Sequence, residues 1–168
     1  FILLFLYYKA RQLRKSITEY ISMKQVIPLL IATKNDPNLQ YEASNIVYPT
    51  RSNNPNRLDA TVFFSLFKKR PRKAGVVWFL HLDILSDPWG VHYTVNEVID
   101  KSCYYVNLQL GFKEEHRIEY MMRKIERKMV EKGELTGESV FDSVKGKFEE
   151  ADFKFIVLNS RVATDNKL

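Results

Sequence analysis

The sequence predicts an α/β domain: a mixed, partly parallel β-sheet of about five strands with a βαβ unit, a β-hairpin and packed helices. Three observations carry this. Residues 76–84 are a nearly continuous apolar run, led by Val76, Val77, Trp78, Phe79 and Leu80, as in a strand buried on both faces. A strand-like stretch at 44–50 and a helical stripe of Leu58, Val62, Phe63, Leu66 and Phe67 precede it. Strand, helix and strand within about forty residues make a βαβ unit with a parallel pair. Residues 91–98 and 103–112, separated by Asp100-Lys101-Ser102, read as a hairpin.

Taken in order, residues 9–21 read as helix, with Leu13, Ile17, Tyr20 and Ile21 on one face. Pro28 breaks or restarts it, and a second short helix covers 26–33. Asn35-Asp36-Pro37-Asn38 is a turn. Strand 44–50 carries Pro49, which belongs at its end or at a sheet edge. After the loop Arg51, Ser52, Asn53 and Asn54, a helix starts with Asn54 as cap and Pro55 in the first position, and Pro71 stops it.

Asp87-Pro88-Trp89-Gly90 is a second turn. In the second hairpin strand Tyr104, Val106, Leu108, Leu110 and Phe112 alternate with Tyr105, Asn107, Gln109 and Gly111, which implies one wet face. A helix over 114–132 buries Ile118, Met121, Met122, Ile125 and Met129 and exposes Arg123, Lys124, Arg127 and Lys128. Gly133 is its C-cap. A weak strand around Val140, a turn at Lys145-Gly146 and a last strand over 152–159 complete the chain.

The chain has 168 residues, 45% hydrophobic and 27% charged, the composition of a globular domain rather than of a disordered chain. Its only cysteine, Cys103, cannot form an internal disulfide, which fits a reducing compartment. The net charge of +6 raises nucleic-acid binding, but the clustered basic residues fall in three runs, at 9–15, 68–73 and 123–128. None shows the aromatic interleaving of a single-strand binder or a recognition-helix pattern, so they read as solvated faces.

The opening is a different matter. The first residue is Phe rather than Met, as expected of a piece of a longer protein. Residues 1–8 are apolar without a break and end in Tyr7 and Tyr8, too short to span a bilayer alone. Lys9, Arg11, Arg14 and Lys15 follow at once. Aromatics and then positive charge are the flank of a membrane helix leaving into the cytoplasm. The expected organisation is the end of a transmembrane helix (1–8), a juxtamembrane basic helical linker (9–35) and a cytoplasmic α/β domain (36–168). The alternative for the first stretch is an N-terminal core element.

Chemistry is sparse. Neither G-x-x-x-x-G-K-[ST] nor G-x-G-x-x-G occurs, nor a G-x-S-x-G elbow, so no catalytic residue is assigned. His81 and Asp83 share one face of a strand and could converge with His92 across the turn, as a metal or acid–base site. The simpler reading, adopted here, is that His81 and Asp83 bond locally and fix the Asp87–Gly90 turn; no metal site is assigned. Cys103 and the set Met121, Met122 and Met129 read as core.

Three stretches carry a resemblance: Asn45-Ile46-Val47-Tyr48-Pro49-Thr50, Trp78-Phe79-Leu80-His81-Leu82-Asp83, and Leu110-Gly111-Phe112-Lys113-Glu114-Glu115-His116-Arg117-Ile118. In this order they resemble the C-terminal region of the Kup family of potassium uptake transporters. Pro49 departs from the family's usual strand and puts pairing on that side in question.

The resemblance implies a multi-pass protein of the cell membrane that imports potassium, coupled to protons, through helices outside this chain. This chain would be its regulatory or assembly domain on the cytoplasmic side, and no transport-site residue maps here. The implied partners are its own transmembrane transport domain, with potassium ion and proton as transported species. A homodimer and a nucleotide or cyclic dinucleotide effector remain open. By analogy the effector would sit at Arg51, Ser52, Asn53 and Asn54, where a loop at the carboxyl end of a parallel strand leads into a helix N-terminus. A stand-alone α/β nucleotide-binding module or enzyme is the alternative.

Overall fold

The long apolar run becomes the middle strand of the sheet. The computed structural model describes residues 19–69, 71–135 and 152–158. Within them, β4 (Lys73–Leu85) lies between β2 (Tyr41–Pro49) and β6 (Cys103–Gly111) and runs parallel to both. β7 (Phe153–Phe155) adds to β2, also parallel, and β5 (Val91–Ile99) closes the opposite edge antiparallel to β6. The order β5-β6-β4-β2-β7 is the expected mixed sheet.

A short β1 (Tyr20–Ser22) pairs antiparallel with β3 (Arg57–Asp59). Helix α1 is Met23–Asn35, α2 is Ala60–Phe64 continued by a π-helical turn over Ser65–Lys69, and α3 is Ile118–Glu131. Among the described residues no helix is long and apolar enough to cross a membrane.

Neighbouring residues of a strand face opposite sides of the sheet, and both sides are covered. Ile46, Tyr48, Phe79 and Tyr105 pack with Met23, Val26 and Leu30 of α1 and with Val62 and Leu66. Val47, Trp78, Leu80, Tyr104 and Val106 pack with Met122, Ile125 and Met129 of α3. Two covered faces explain why β4 reads as an apolar run rather than an alternation. In this second core the Trp78 ring stacks on Tyr104 at 5.1 Å, and its indole N–H donates to Asn45 Oδ1 at 2.9 Å. Two polar groups buried in the sheet thereby satisfy each other.

The sheet order forces an unusual crossing. Because β6 lies between β4 and β5, the link from Leu85 to Val91 must pass over the carboxyl end of β6. It passes at Gly111, where a Cβ would lie 2.7 Å from the carbonyl oxygen of Pro88 and from the backbone of Trp89. The N–H groups of Gly111, Phe112 and Lys113 donate to the carbonyls of Gly90, Asp87 and Pro88 at 2.8, 3.0 and 2.9 Å. The Glu114 carboxylate accepts from the Gly90 N–H at 3.0 Å, and Gly90 holds φ +128°. The Leu110–Glu114 part of the third signature stretch is therefore the seat of this crossing.

Several expected details change. Tyr20 and Ile21 are strand, not the end of a helix, because they pair with β3. Helix α1 starts at Met23 and runs through Pro28, whose missing N–H is outweighed by burial of Met23, Val26 and Leu30. Asn54 and Pro55 do not begin a helix: residues 57–59 are drawn into pairing with β1, and the helix starts at Ala60. The second hairpin strand has no wet face, because β6 is central and Cys103 and Tyr105 are buried with α1. Helix α3 begins at Ile118 rather than 114, since the preceding residues anchor the crossing.

Other expectations hold. Pro49 ends β2, and β7 pairs only with Asn45–Val47, short of the proline. Gly133, at φ +73°, closes α3 with two reversed bonds, Glu134 N–H to Met129 O (2.9 Å) and Gly133 N–H to Val130 O (3.0 Å). Asp36 Oδ1 accepts the Asn38 N–H at 2.8 Å in the expected turn.

Candidate functional site

In a sheet of this topology ligands usually sit beyond the carboxyl ends of the parallel strands. Here that place is built by Thr50, the loop after it, and the ends of β4 and β6. The loop is folded onto a carboxylate. Asp59 Oδ2 accepts the Arg51 N–H at 2.6 Å and the Thr50 hydroxyl at 3.4 Å. Thr50 Oγ1 accepts the Ser52 N–H at 3.1 Å, and Ser52 Oγ accepts the Asn54 N–H at 3.3 Å. Asn54 Oδ1 takes the Asn56 N–H at 2.9 Å, so Asn54 makes an Asx turn instead of a helix cap.

Two side chains from the sheet close the network. The Tyr105 hydroxyl donates to Ser52 O at 2.6 Å. His81 places Nδ1 3.1 Å from Thr50 O and Nε2 3.2 Å from Asp83 Oδ1. Both of these partners can only accept, so a neutral ring serves one of them at a time.

His81 and Asp83 are thus brought together as expected, but they pin the Thr50 loop, not the Asp87–Gly90 turn. His92 stays apart. It pairs in register with Gln109, which pairs on its other side with Asp83, two strand spacings or about 10 Å in all. Among the described residues no group of three or more His, Cys, Asp or Glu is placed to hold a metal ion. Burial pushes the Cys103 thiol up, which leaves it inert at neutral pH.

Of the expected anion site, Arg51 and Asn53 are exposed, Asn54 is half-buried and Ser52 is buried. The backbone N–H groups of Arg51, Ser52 and Asn54 point to Asp59, Thr50 and Ser52. The group at the centre is Asp59, 4% exposed, with Oδ1 lacking any partner. An added anion would meet a buried carboxylate there, and the helix N-terminus expected at Pro55 is absent. Lys9, Arg11, Arg14 and Lys15, with residues 1–8, lie outside the described residues.

At the same end a broad groove of about 800 Å³ opens between the start of α3 and β7, with Val47, Pro49 and Leu80 in its floor. Its rim arginines are engaged: Arg117 with Glu115 at 2.6 Å and Arg123 with Glu119 at 3.0 Å.

Sequence reasoning passed over two buried acids. Asp59 sat inside an expected helix. Glu126 sits on the sheet-facing side of α3, 6% exposed, with Oε1 unpartnered. Burial raises its pKa to about 7, against the opposing pull of Arg127 and Arg123. Its spacing of four from Met122 was the available signal.

Comparison with known proteins covers nearly the whole chain. Residues 43–168 match the model of the K+ potassium transporter C-terminal domain. The chain is 28% identical over 166 residues to the "Probable potassium transport system protein Kup" of Cytophaga hutchinsonii, covering 99% of this chain and 25% of that protein. The protein of the same name from Flavobacterium johnsoniae is 31% identical over 163 residues, 97% of this chain and 25% of its own. That from Clostridium perfringens is 26% identical over 166 residues, with shares of 99% and 25%. The chain therefore spans about a quarter of the length of the curated relatives it matches. No solved structure matches it.

Proposed function

Because the chain belongs to the K+ potassium transporter C-terminal domain family, we propose that it is the cytoplasmic regulatory or assembly domain of a potassium uptake transporter and carries no catalysis of its own. The transport itself, potassium import coupled to protons, is assigned to membrane helices in the other three-quarters of a protein of the relatives' size. The observation that carries this reading is the family match over residues 43–168. Residues 1–8 are assigned to the end of a membrane helix and the basic stretch after them to the juxtamembrane link. The folded domain includes α1, since Met23, Val26 and Leu30 belong to its core.

The polar groups of the Thr50 loop support a non-enzymatic role, because they bond to one another rather than to an open cleft. The test is to remove the domain from the parent transporter and follow rubidium uptake at several external potassium concentrations and pH values. Retained membrane insertion with an altered uptake rate or concentration dependence is expected. Uptake identical to the intact protein under every condition overturns the regulatory role. Absence of hydrophobic spans of about 20 residues upstream of Phe1 in the parent protein overturns the assignment to a transporter.

A further inference from the structure

The opposite, amino-terminal end of the parallel strands holds a cavity of about 300 Å³ between the last turn of α1, the start of β4 and the β5–β6 turn. Its inner wall is apolar, with Leu30, Val77 and Ile99, and its rim carries Lys34, Arg72 and Lys73. The hydrogen-bond acceptors of the two ammonium groups are neutral oxygens: Lys34 Nζ donates to Ser102 Oγ at 2.7 Å and Lys73 Nζ to Asp36 O at 3.0 Å, and Lys73 Nζ also lies 5.0 Å from the centroid of the Tyr41 ring. The nearby Asp36 carboxylate accepts the Asn38 N–H instead. Arg72 reaches Glu42 through one terminal nitrogen at 3.2 Å, while its Nε is buried without a partner. Lys34 also lies in the last turn of α1, where a cation suits the helix dipole. The dipole suits Lys34 and the Tyr41 ring supports Lys73, but neither ammonium meets an anion and the Arg72 Nε stays orphaned.

We propose that this cavity binds a small organic anion, a carboxylate or phosphate monoester head on a compact apolar body. The head replaces the neutral oxygens as acceptor for Lys34 and Lys73, and each ammonium has three hydrogens to offer. A charged acceptor makes a stronger bond than a hydroxyl or a carbonyl, and a half-enclosed apolar wall strengthens it further. The body lies against Leu30, Val77 and Ile99. The volume is at the lower end for small-molecule sites, which selects a single ring or short chain over a dinucleotide. The proposal is independent of the transporter reading, since it concerns the domain alone.

Titration calorimetry on the 168-residue chain, with phenyl phosphate, hexanoate, inorganic phosphate and benzyl alcohol as probes, tests it. Phenyl phosphate or hexanoate should bind at least about tenfold more tightly than inorganic phosphate and than benzyl alcohol, which is about 1.4 kcal/mol. The double variant Lys34→Met/Lys73→Met should lose about tenfold or more in affinity with an unchanged circular dichroism spectrum. Should that variant misfold, Lys34→Gln/Lys73→Gln is measured in its place. Equal binding of phenyl phosphate and inorganic phosphate overturns the proposal, as does affinity unchanged by the double variant. So does no binding of either organic anion up to about 10 mM. Sedimentation with phosphatidylglycerol vesicles that depends on the two lysines, without binding of the soluble probes, assigns the lysines to a lipid surface and also overturns it.

Discussion

The two ends of the parallel strands use polar residues in opposite ways. At the carboxyl end, Thr50, Ser52, Asp59, His81 and Tyr105 bond to one another, and Gly111 lets the β4–β5 link cross over β6. At the amino end, Lys34 and Lys73 stand at the mouth of an apolar cavity with only neutral acceptors. The first arrangement spends its hydrogen bonds on holding the chain in place and leaves over only the buried Asp59 Oδ1. The second leaves charge unneutralised where a ligand can reach it. A favourable topological position is thus insufficient to identify a site; what matters is whether its polar groups are already used.

Substitutions should separate the two ends, and the largest effect is expected at Gly111. Gly111→Ala places a methyl 2.7 Å from backbone atoms of Pro88 and Trp89, which no side-chain rotation relieves. Urea denaturation should show a loss of about 3 kcal/mol or more. A loss below about 1 kcal/mol would mean that the crossing is looser than described. Tyr105→Phe comes next. It removes the 2.6 Å bond to Ser52 O and leaves a buried carbonyl short of a donor, at a cost of about 1–2 kcal/mol by the same measurement.

Glu126 sharpens the contrast from the sheet-facing side of α3, where the carboxyl keeps one oxygen, Oε1, buried without a partner. Burial raises its pKa from 4.5 to about 7 in the folded state. The folded protein therefore binds this proton more tightly than the unfolded chain. Its contribution to stability is greatest below 4.5, falls as pH rises toward about 7, and then levels off. Glu126→Gln removes the slope, so the variant should gain on the parent as pH rises, by on the order of 1 kcal/mol at pH 8. Thermal melts at pH 5 and pH 8 with an equal difference between the two proteins would contradict the assignment.

The smallest change belongs to the amino end. Lys34→Met with Lys73→Met should alter stability by no more than about 1 kcal/mol, because each side chain gives up one bond to a neutral oxygen near solvent and Lys73 its contact with the exposed Tyr41 ring. A cost above about 2 kcal/mol in urea would make these lysines structural, like the groups at the other end.

The sequence by itself determined the sheet, because a strand covered on both faces is apolar along most of its length, and residues 76–84 are apolar but for His81 and Asp83. It also determined the βαβ unit, the hairpin, the apolar face of α3 and the Gly133 cap, since periodicity and turn chemistry act over neighbouring residues. The kinship was legible too, in signature stretches whose Trp78, His81 and Gly111 turn out to hold the fold together. Only the tertiary structure decided where the hairpin goes. Strand β6, not β5, inserts beside β4, which buries Tyr105 and makes Gly111 indispensable. Pairing with β1 turned an expected helix start at Asn54 and Pro55 into strand β3 and set Asp59 where an anion had been expected. The cavity at Lys34 and Lys73 joins residues from three separate elements, and Lys73 belongs to a basic run that looks merely solvated. A periodicity records which side of its own element a residue faces, but whether its charge is already matched depends on groups far away in the chain.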